Sequence, residues 1–534
     1  MVETISVEQV IGQKLLLAFK GKDEPSDKII QALREYKPCG ITLFRSFNID
    51  NPTQVRELTE SLQRLARDFN LPPLLIATDQ EGGQLMAIGE GSTPLPGNMA
   101  LGATGSSELA RRAGEVLGRE LAAMGINVNY APCVDVNQNP QNPVVGIRSF
   151  GENPLEVARL ASAMIEGIQS QGVAATAKHF PGHGDTSNDS HHGLPILPHS
   201  LDRLQSVEFP PFQSSVRAGV KLIMSAHLGL TALDGPNAPP ATLSANILKN
   251  LLRHQIGFDG VIVTDAMDMQ AIRQGGLLGE DAVRAVKAGV DLLLLTSDPE
   301  DHERVFRALV QAVQNDELNL NGLRESVERI AALKDWIASH PVKPDLDVVG
   351  CTEHLTVANE IAEKSITLVR DHAGLLPLRL QDHQRLAVVI PMPQDLTPAD
   401  TSSFVKPKLA ESLREYHARV DEYLIPFAPT ENDIAGLMQQ LATYDRVVVG
   451  TINAFNQAGQ AALVRKIVQK NIPVIVAALR LPYDLAAFPE TPTYLCTYGI
   501  LEPSMRALAK ALFGYGEMNG RLPVSIPGLY GAKL

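Results

Sequence analysis

Eight apolar runs, spaced through the first part of the chain, limit its fold more than any other feature. They are Lys14–Phe19, Gly40–Phe44, Leu74–Thr78, Ile126–Ala131, Val173–Ala177, Lys221–Ala226, Gly260–Thr264 and Val290–Leu295. Most are rich in Val, Ile and Leu and lack polar alternation, the pattern of strands covered on both faces. Helical patterns lie between them. Asn51-Pro52-Thr53 opens one, with Val55, Leu58, Leu62 and Leu65 recurring at helical spacing. Two more, 106–124 and 154–171, are closed by Gly125 and Gly172. Strands alternating with helices imply a parallel sheet. Eight such units predict a closed (β/α)8 TIM-type barrel over residues 1–340, with an open doubly wound sheet as the alternative.

The chain has 534 residues, too many for one core, so a second domain is expected. Residues 341–356, opening on Pro341-Val342-Lys343-Pro344, read as a linker. Residues 357–534 mix strand patterns (386–390, 446–451, 474–479, 493–497) with helical ones (457–470, 503–513), which predicts a smaller, sandwich-like α/β domain. Arg480, Asp484 and Glu502 lie near strand ends there and are expected to have structural roles.

A net charge of −13, with both signs interspersed, disfavours nucleic acid as a partner. No apolar run approaches the ~20 residues of a membrane span. No signal-peptide pattern is visible, so a cytoplasmic location is expected. The four cysteines are scattered without zinc spacing and read as free thiols of a reducing compartment. Neither a dinucleotide fingerprint nor a Walker loop is present in context, so no cofactor is expected.

Barrel enzymes build their sites where strands end, and the polar residues of this chain cluster there. The third run leads into Asp79-Gln80-Glu81-Gly82-Gly83, the fourth to Asp135 and on to Arg148, the fifth to Lys178-His179, the sixth to His227 and the seventh to Asp265. A fixed, partly desolvated carboxylate such as Asp265 can serve as nucleophile or electrostatic stabiliser, or simply cap a following helix. Asp268 is the competing carboxylate, expected in the first helical turn. Asp189 and His191, two apart in a loop, can share one side, so that the carboxylate fixes the imidazole tautomer and raises its pKa. His179, His183, His191 and His192, with Asp185 and Asp189, could instead ligate zinc, although no metal spacing supports it. Lys178 and Arg148 could bind a ligand, or pair structurally with Asp79 and Asp135.

Taken together, the segments Asp79–Gly83, Pro96–Gly102, Ile147–Gly151, KHFPGHGDT from Lys178 with Asp189-Ser190-His191, and Thr264–Met267 resemble glycoside hydrolase family 3, in its β-N-acetylhexosaminidase branch. The resemblance implies a retaining double displacement on a terminal N-acetylhexosamine of peptidoglycan or chitin fragments. It casts Asp265 as nucleophile and His191 as general acid/base with Asp189. It casts Asp79, Arg148, Lys178 and His179 as holders of the sugar hydroxyls. It also implies that the second domain supplies no acid/base. The chain departs from the family pattern D-Q-E-G-G-R-V-x-R, because Gln84 and Ala87 stand where arginines are expected. Another residue fills that role, or the glycone differs. Phosphorolysis is the main alternative, since a histidine acid/base carries no negative charge to repel phosphate. A non-hydrolytic sugar-binding relative and a metal hydrolase complete the set.

Overall fold

The computed structural model describes residues 6–187, 193–272 and 277–532. The eight apolar runs form eight parallel strands. They are Leu15–Leu17, Gly40–Thr42, Leu75–Thr78, Val128–Asn129, Ala174–Phe180, Leu222–Ser225, Val261–Thr264 and Leu293–Leu295. Each pairs with its neighbours in chain order and the last pairs with the first. A bridge between Val263 and Leu292 joins the seventh to the eighth and closes the barrel. The alternative of an open sheet is thereby excluded. Gly40 shows how tightly the staves meet: a Cβ there would lie 2.3 Å from the Leu75 carbonyl oxygen.

The helices start where local chemistry tells them to. The Asn51 side chain accepts from the Gln54 amide ahead of Pro52–Asp68, and Asn153 does the same for Leu155 and Glu156 ahead of Pro154–Ser170. In both, proline occupies the first turn, where its missing N–H is harmless. One element was not expected. After the third strand the chain makes a small antiparallel hairpin, Gln80–Gly82 with Leu85–Met86. Gly82 and Gly83 turn it at φ +87° and +60°.

The second domain is a six-stranded sheet in the order Thr367–Asp371, Thr493–Cys496, Val474–Ala478, Arg446–Thr451, Leu386–Pro391, Val420–Ile425. Only the first of these pairs is antiparallel. Successive residues of the strand Arg446–Thr451 feed different hydrophobic clusters, Val447 and Val449 one and Val448 the other, so the sheet is covered on both faces.

The domains meet at several places, including the Ser525 amide on Glu152, the Arg521 amide on the Ala103 carbonyl and two further contacts. Helix Thr352–Ser365 packs on the barrel helix Ser107–Ala123 and on Glu502–Leu512 of the second domain. Beneath it, buried Glu120 accepts from the Thr93 amide, the Gly350 amide and, at 2.8 Å, the His354 ring. The second contact lies at the barrel mouth. Tyr483 hydroxyl meets Asn137 Nδ2 at 2.8 Å, and Thr401 pairs with the 80–86 hairpin. The carboxyl ends of both sheets therefore contribute to one interface. Among the described residues no helix is long and apolar enough to cross a membrane.

Candidate active site

The polar residues flagged at strand ends meet at the barrel mouth. Asp79 follows the third strand directly, and Glu81 stands in the hairpin after it. Arg148 lies in the turn Gly146–Arg148. Lys178 and His179 were expected just beyond the fifth strand but are part of it, since pairing continues to Phe180.

Lys178 Nζ bridges Asp79 and Glu81, 2.6 Å from each. Arg148 grips Glu81 with two nitrogens, at 2.8 and 3.0 Å. Both cations and Glu81 are almost wholly buried, whereas the Asp79 side chain keeps 23% exposure. Asp79 is thus the member of this cluster open to the mouth. Burial alone would raise the Glu81 carboxyl; the Arg148 and Lys178 charges outweigh it and hold the group at about 2. Burial likewise works against the Lys178 ammonium, and Asp79 and Glu81 more than compensate, raising it.

Asp135, one of the two acids offered as structural partners for Lys178 and Arg148, instead serves His179. Its carboxylate accepts the His179 Nδ1 proton at 2.7 Å and the backbone amides of His179 and His183. Arg148 Nη2, which can only donate, faces His179 Nε2 at 3.3 Å. The acid that pairs with Arg148 is Glu81, named in the sequence motif but not given a role.

Asp265 closes the ring from the opposite wall. It follows the strand Val261–Thr264, its amide donates to Ser225 O, and Oδ1 accepts from the Ala266 amide at 2.8 Å. As the residue directly after a parallel barrel strand, it sits at the same carboxyl rim as Asp79 and Lys178. The helix-cap alternative fails. The next helix among the described residues is Leu278–Ala288, with Leu277 at its N-cap position. Asp268 accordingly lies in no helical turn, and it is exposed. His227 stands behind Asp265, with Nε2 3.0 Å from the Ala266 carbonyl. Asp189, His191 and His192 lie outside the described residues.

In the two groups of candidate ligands among the described residues, the donor chemistry argues against a metal. Cys133, Asp135 and His179 bring their ligand atoms within 4.8 Å of one another. Burial and Asp135 push the Cys133 thiol far up, so it stays protonated and donates to Asp135 at 3.2 Å. Asp185, His199 and Glu208 form a second such group, but Arg203 already reaches Glu208 at 2.8 Å and Asp185 at 3.5 Å. Ligand atoms engaged in this way are not free for an ion.

Of the two missing arginines, Ala87 is packed in the barrel core. Gln84 is turned toward the second domain, where Arg480 Nη2 donates to its Oε1.

Residues 6–333 match the family described as Glycosyl hydrolase family 3 N terminal domain. The chain belongs to glycosyl hydrolase family 3. It is 31% identical to beta-hexosaminidase A of Pseudoalteromonas piscicida, over 98% of this chain and 97% of that one. Its fold superposes on a solved family 3 beta-N-acetylglucosaminidase from Paenibacillus sp. str. FPU-7 with a TM-score of 0.92 and 38% identity, covering 97% of this chain and 99% of the other. A beta-glucoside phosphorylase is also similar, at TM-score 0.81 and 26% identity, covering 97% and 93%. The protein is a glycoside hydrolase, and the mouth just described is its candidate active site.

Proposed function

We propose that this family 3 enzyme is a retaining, exo-acting β-N-acetylglucosaminidase working on small fragments of peptidoglycan or chitin. One observation carries the reading. Asp265, directly after the seventh strand, lies at the same carboxyl rim of the barrel as the Asp79–Lys178–Glu81–Arg148 cluster built from the third strand, the turn at 146–148 and the fifth strand. The full-length similarity to named hexosaminidases supports the glycone.

In this mechanism Asp265 attacks the anomeric carbon. His191, poised by Asp189, protonates the departing glycosidic oxygen. The same histidine then takes a proton from water, which releases the sugar from Asp265 with retained configuration. Asp79 accepts from a glycone hydroxyl. Lys178 donates to another, while Arg148 and His179 hold Glu81 and the strand end behind them in place. Among the described residues, Asp79, Glu81, Asp135 and Asp265 stand against Arg148 and Lys178 at this mouth, an acidic excess that favours an oxocarbenium-like transition state. A fluorinated N-acetylglucosaminide that traps the intermediate should label Asp265. Turnover of that sugar's aryl glycoside with labelling at another residue would refute the assignment.

Phosphorolysis is the second reading, favoured by the similarity to a beta-glucoside phosphorylase. Product analysis decides it: sugar 1-phosphate formed in phosphate buffer, with turnover falling in phosphate-free buffer, would replace hydrolysis. We also place the enzyme in the cytoplasm, on the strength of its four free cysteines, three of them buried. Finding it in the secreted fraction would overturn that placement.

A further inference from the structure

We propose that Arg480 of the second domain is a positioning residue for the glycone pocket, acting through Gln84. The inference rests on the reading of Asp79 and Lys178 as sugar-holding residues, and it concerns what keeps them in place.

Arg480 follows the strand Val474–Ala478 and is 3% exposed. Its Nη1 pairs with buried Asp400 at 3.0 Å, and its Nη2 donates to the Gln84 side chain. Asp400 is itself fixed, accepting the amides of Leu396 and Ser402. The loop so anchored grips the hairpin. Gln84 Nε2 donates to Ala399 O at 3.2 Å. The Thr401 amide and hydroxyl both donate to Gln84 O, at 3.0 and 2.9 Å, and the Met86 amide donates to Thr401 Oγ1 at 3.2 Å.

The gripped strand pairs with Gln80 and Gly82, so it flanks Glu81 and runs beside Asp79. The Ala87 amide donates to the Asp79 carbonyl at 3.0 Å, which ties the hairpin's return strand to Asp79 directly. Moving this hairpin moves both acids that Lys178 bridges. A short two-stranded hairpin has little stability of its own. Its register here is set by a neighbour from the other domain. A buried guanidinium locked by a carboxylate is rigid, so it can hold the acids ready before substrate arrives. Asp265 follows the seventh strand, on the opposite side of the barrel from the third strand that carries this hairpin.

The position therefore separates binding from chemistry. Arg480→Met should raise the KM for an aryl N-acetylglucosaminide about tenfold, with kcat changed less than about threefold. Asp400 would be left buried and unpaired, so that variant could unfold. Gln84→Met removes the clasp's acceptor and leaves the ion pair whole, and it should show the same split at about threefold to tenfold in KM. Arg480→Lys should recover part of the loss, since one ammonium can still reach one partner. If Gln84→Met leaves KM unchanged, the proposal is overturned. If kcat falls as far as KM rises, Arg480 is merely structural. Failure of wild-type enzyme to label at Asp265 would strike the proposed mechanism instead and would leave the KM test standing.

Discussion

The carboxyl ends of the two sheets are alike in topology and opposite in electrostatics. At the barrel mouth, buried Glu81 and Asp135 are held charged, one by two cations and the other by a histidine and backbone amides. At the end of the second sheet, Asp484 is just as buried, but among the described residues only the Thr451 hydroxyl and the amides of Ala454 and Phe455 reach it directly. Burial dominates there and pushes the carboxyl up to about 6. Strand ends in open α/β sheets commonly bind ligands. The difference shows that position alone does not make a site: the barrel's buried acids stay ionised far into acid, whereas Asp484 keeps its proton up to about pH 6. What the second sheet supplies instead is a guanidinium aimed across the interface.

The comparison breaks most visibly if the barrel charges are removed one at a time. Asp265→Asn should lower kcat/KM by about 10⁴-fold or more while leaving the melting temperature within a few degrees, because asparagine keeps the side chain's shape and the Oδ1 acceptor for the Ala266 amide. Steady-state kinetics and a thermal melt test both halves. Near-normal turnover would return the nucleophile's role to another group. Glu81→Gln should act differently. It leaves Arg148 and Lys178 buried with one acid removed, and loss of a buried partner costs about 3–5 kcal/mol. Urea unfolding would measure it. A variant as stable as wild type would show that Asp79 alone can compensate both cations.

Acid should sharpen the contrast further. Burial holds His183 near 4 rather than its ordinary 6.5. An unfolded chain therefore takes up a proton between pH 6.5 and 4 that the folded chain refuses. The stability from neutral His183 is complete above pH 6.5 and is lost as pH falls toward 4, by about 3 kcal/mol. In His183→Gln that slope should flatten in urea titrations at several pH values. An unchanged slope would mean that His183 is protonated in the native state.

Much of this was legible in the sequence because periodicity and strand ends are local signals. All eight barrel strands fall within the apolar runs that announced them, apart from the extension of the fifth through Lys178 and His179. The two second-domain strands that the sequence hid, Thr367–Asp371 and Val420–Ile425, are the sheet's edges. Val420–Ile425 reads Val-Asp-Glu-Tyr-Leu-Ile and exposes its middle, so its hydrophobic signal is thin. At the site, the residue types and their rim were readable, but their pairing was not. Nothing in the spacing assigns Glu81 rather than Asp135 to Arg148, because partners 67 residues apart are chosen by the closure of the barrel. Arg480 was least visible, since its partner Gln84 lies 396 residues away in another domain. An arginine right after a buried strand was the only available clue.

The smallest expected effect tests the quiet side of the comparison. Asp484 has its folded pKa raised from 3.8 to about 6, so the native state binds its proton more readily than the unfolded chain does. That preference stabilises the fold fully below pH 3.8 and is lost as pH rises through 6, above which the protein carries a buried carboxylate with no cation directly on it. Asn in its place can still accept from Thr451 or a backbone amide through one oxygen and needs no desolvated charge. Asp484→Asn should therefore change stability at pH 7 by no more than about 1 kcal/mol, abolish this group's pH dependence between 3.8 and 6, and leave kcat/KM unaltered. A tenfold loss of kcat/KM in a folded variant would mean that the second sheet contributes an acid to the reaction, and the division of labour between the two sheet ends would have to be redrawn.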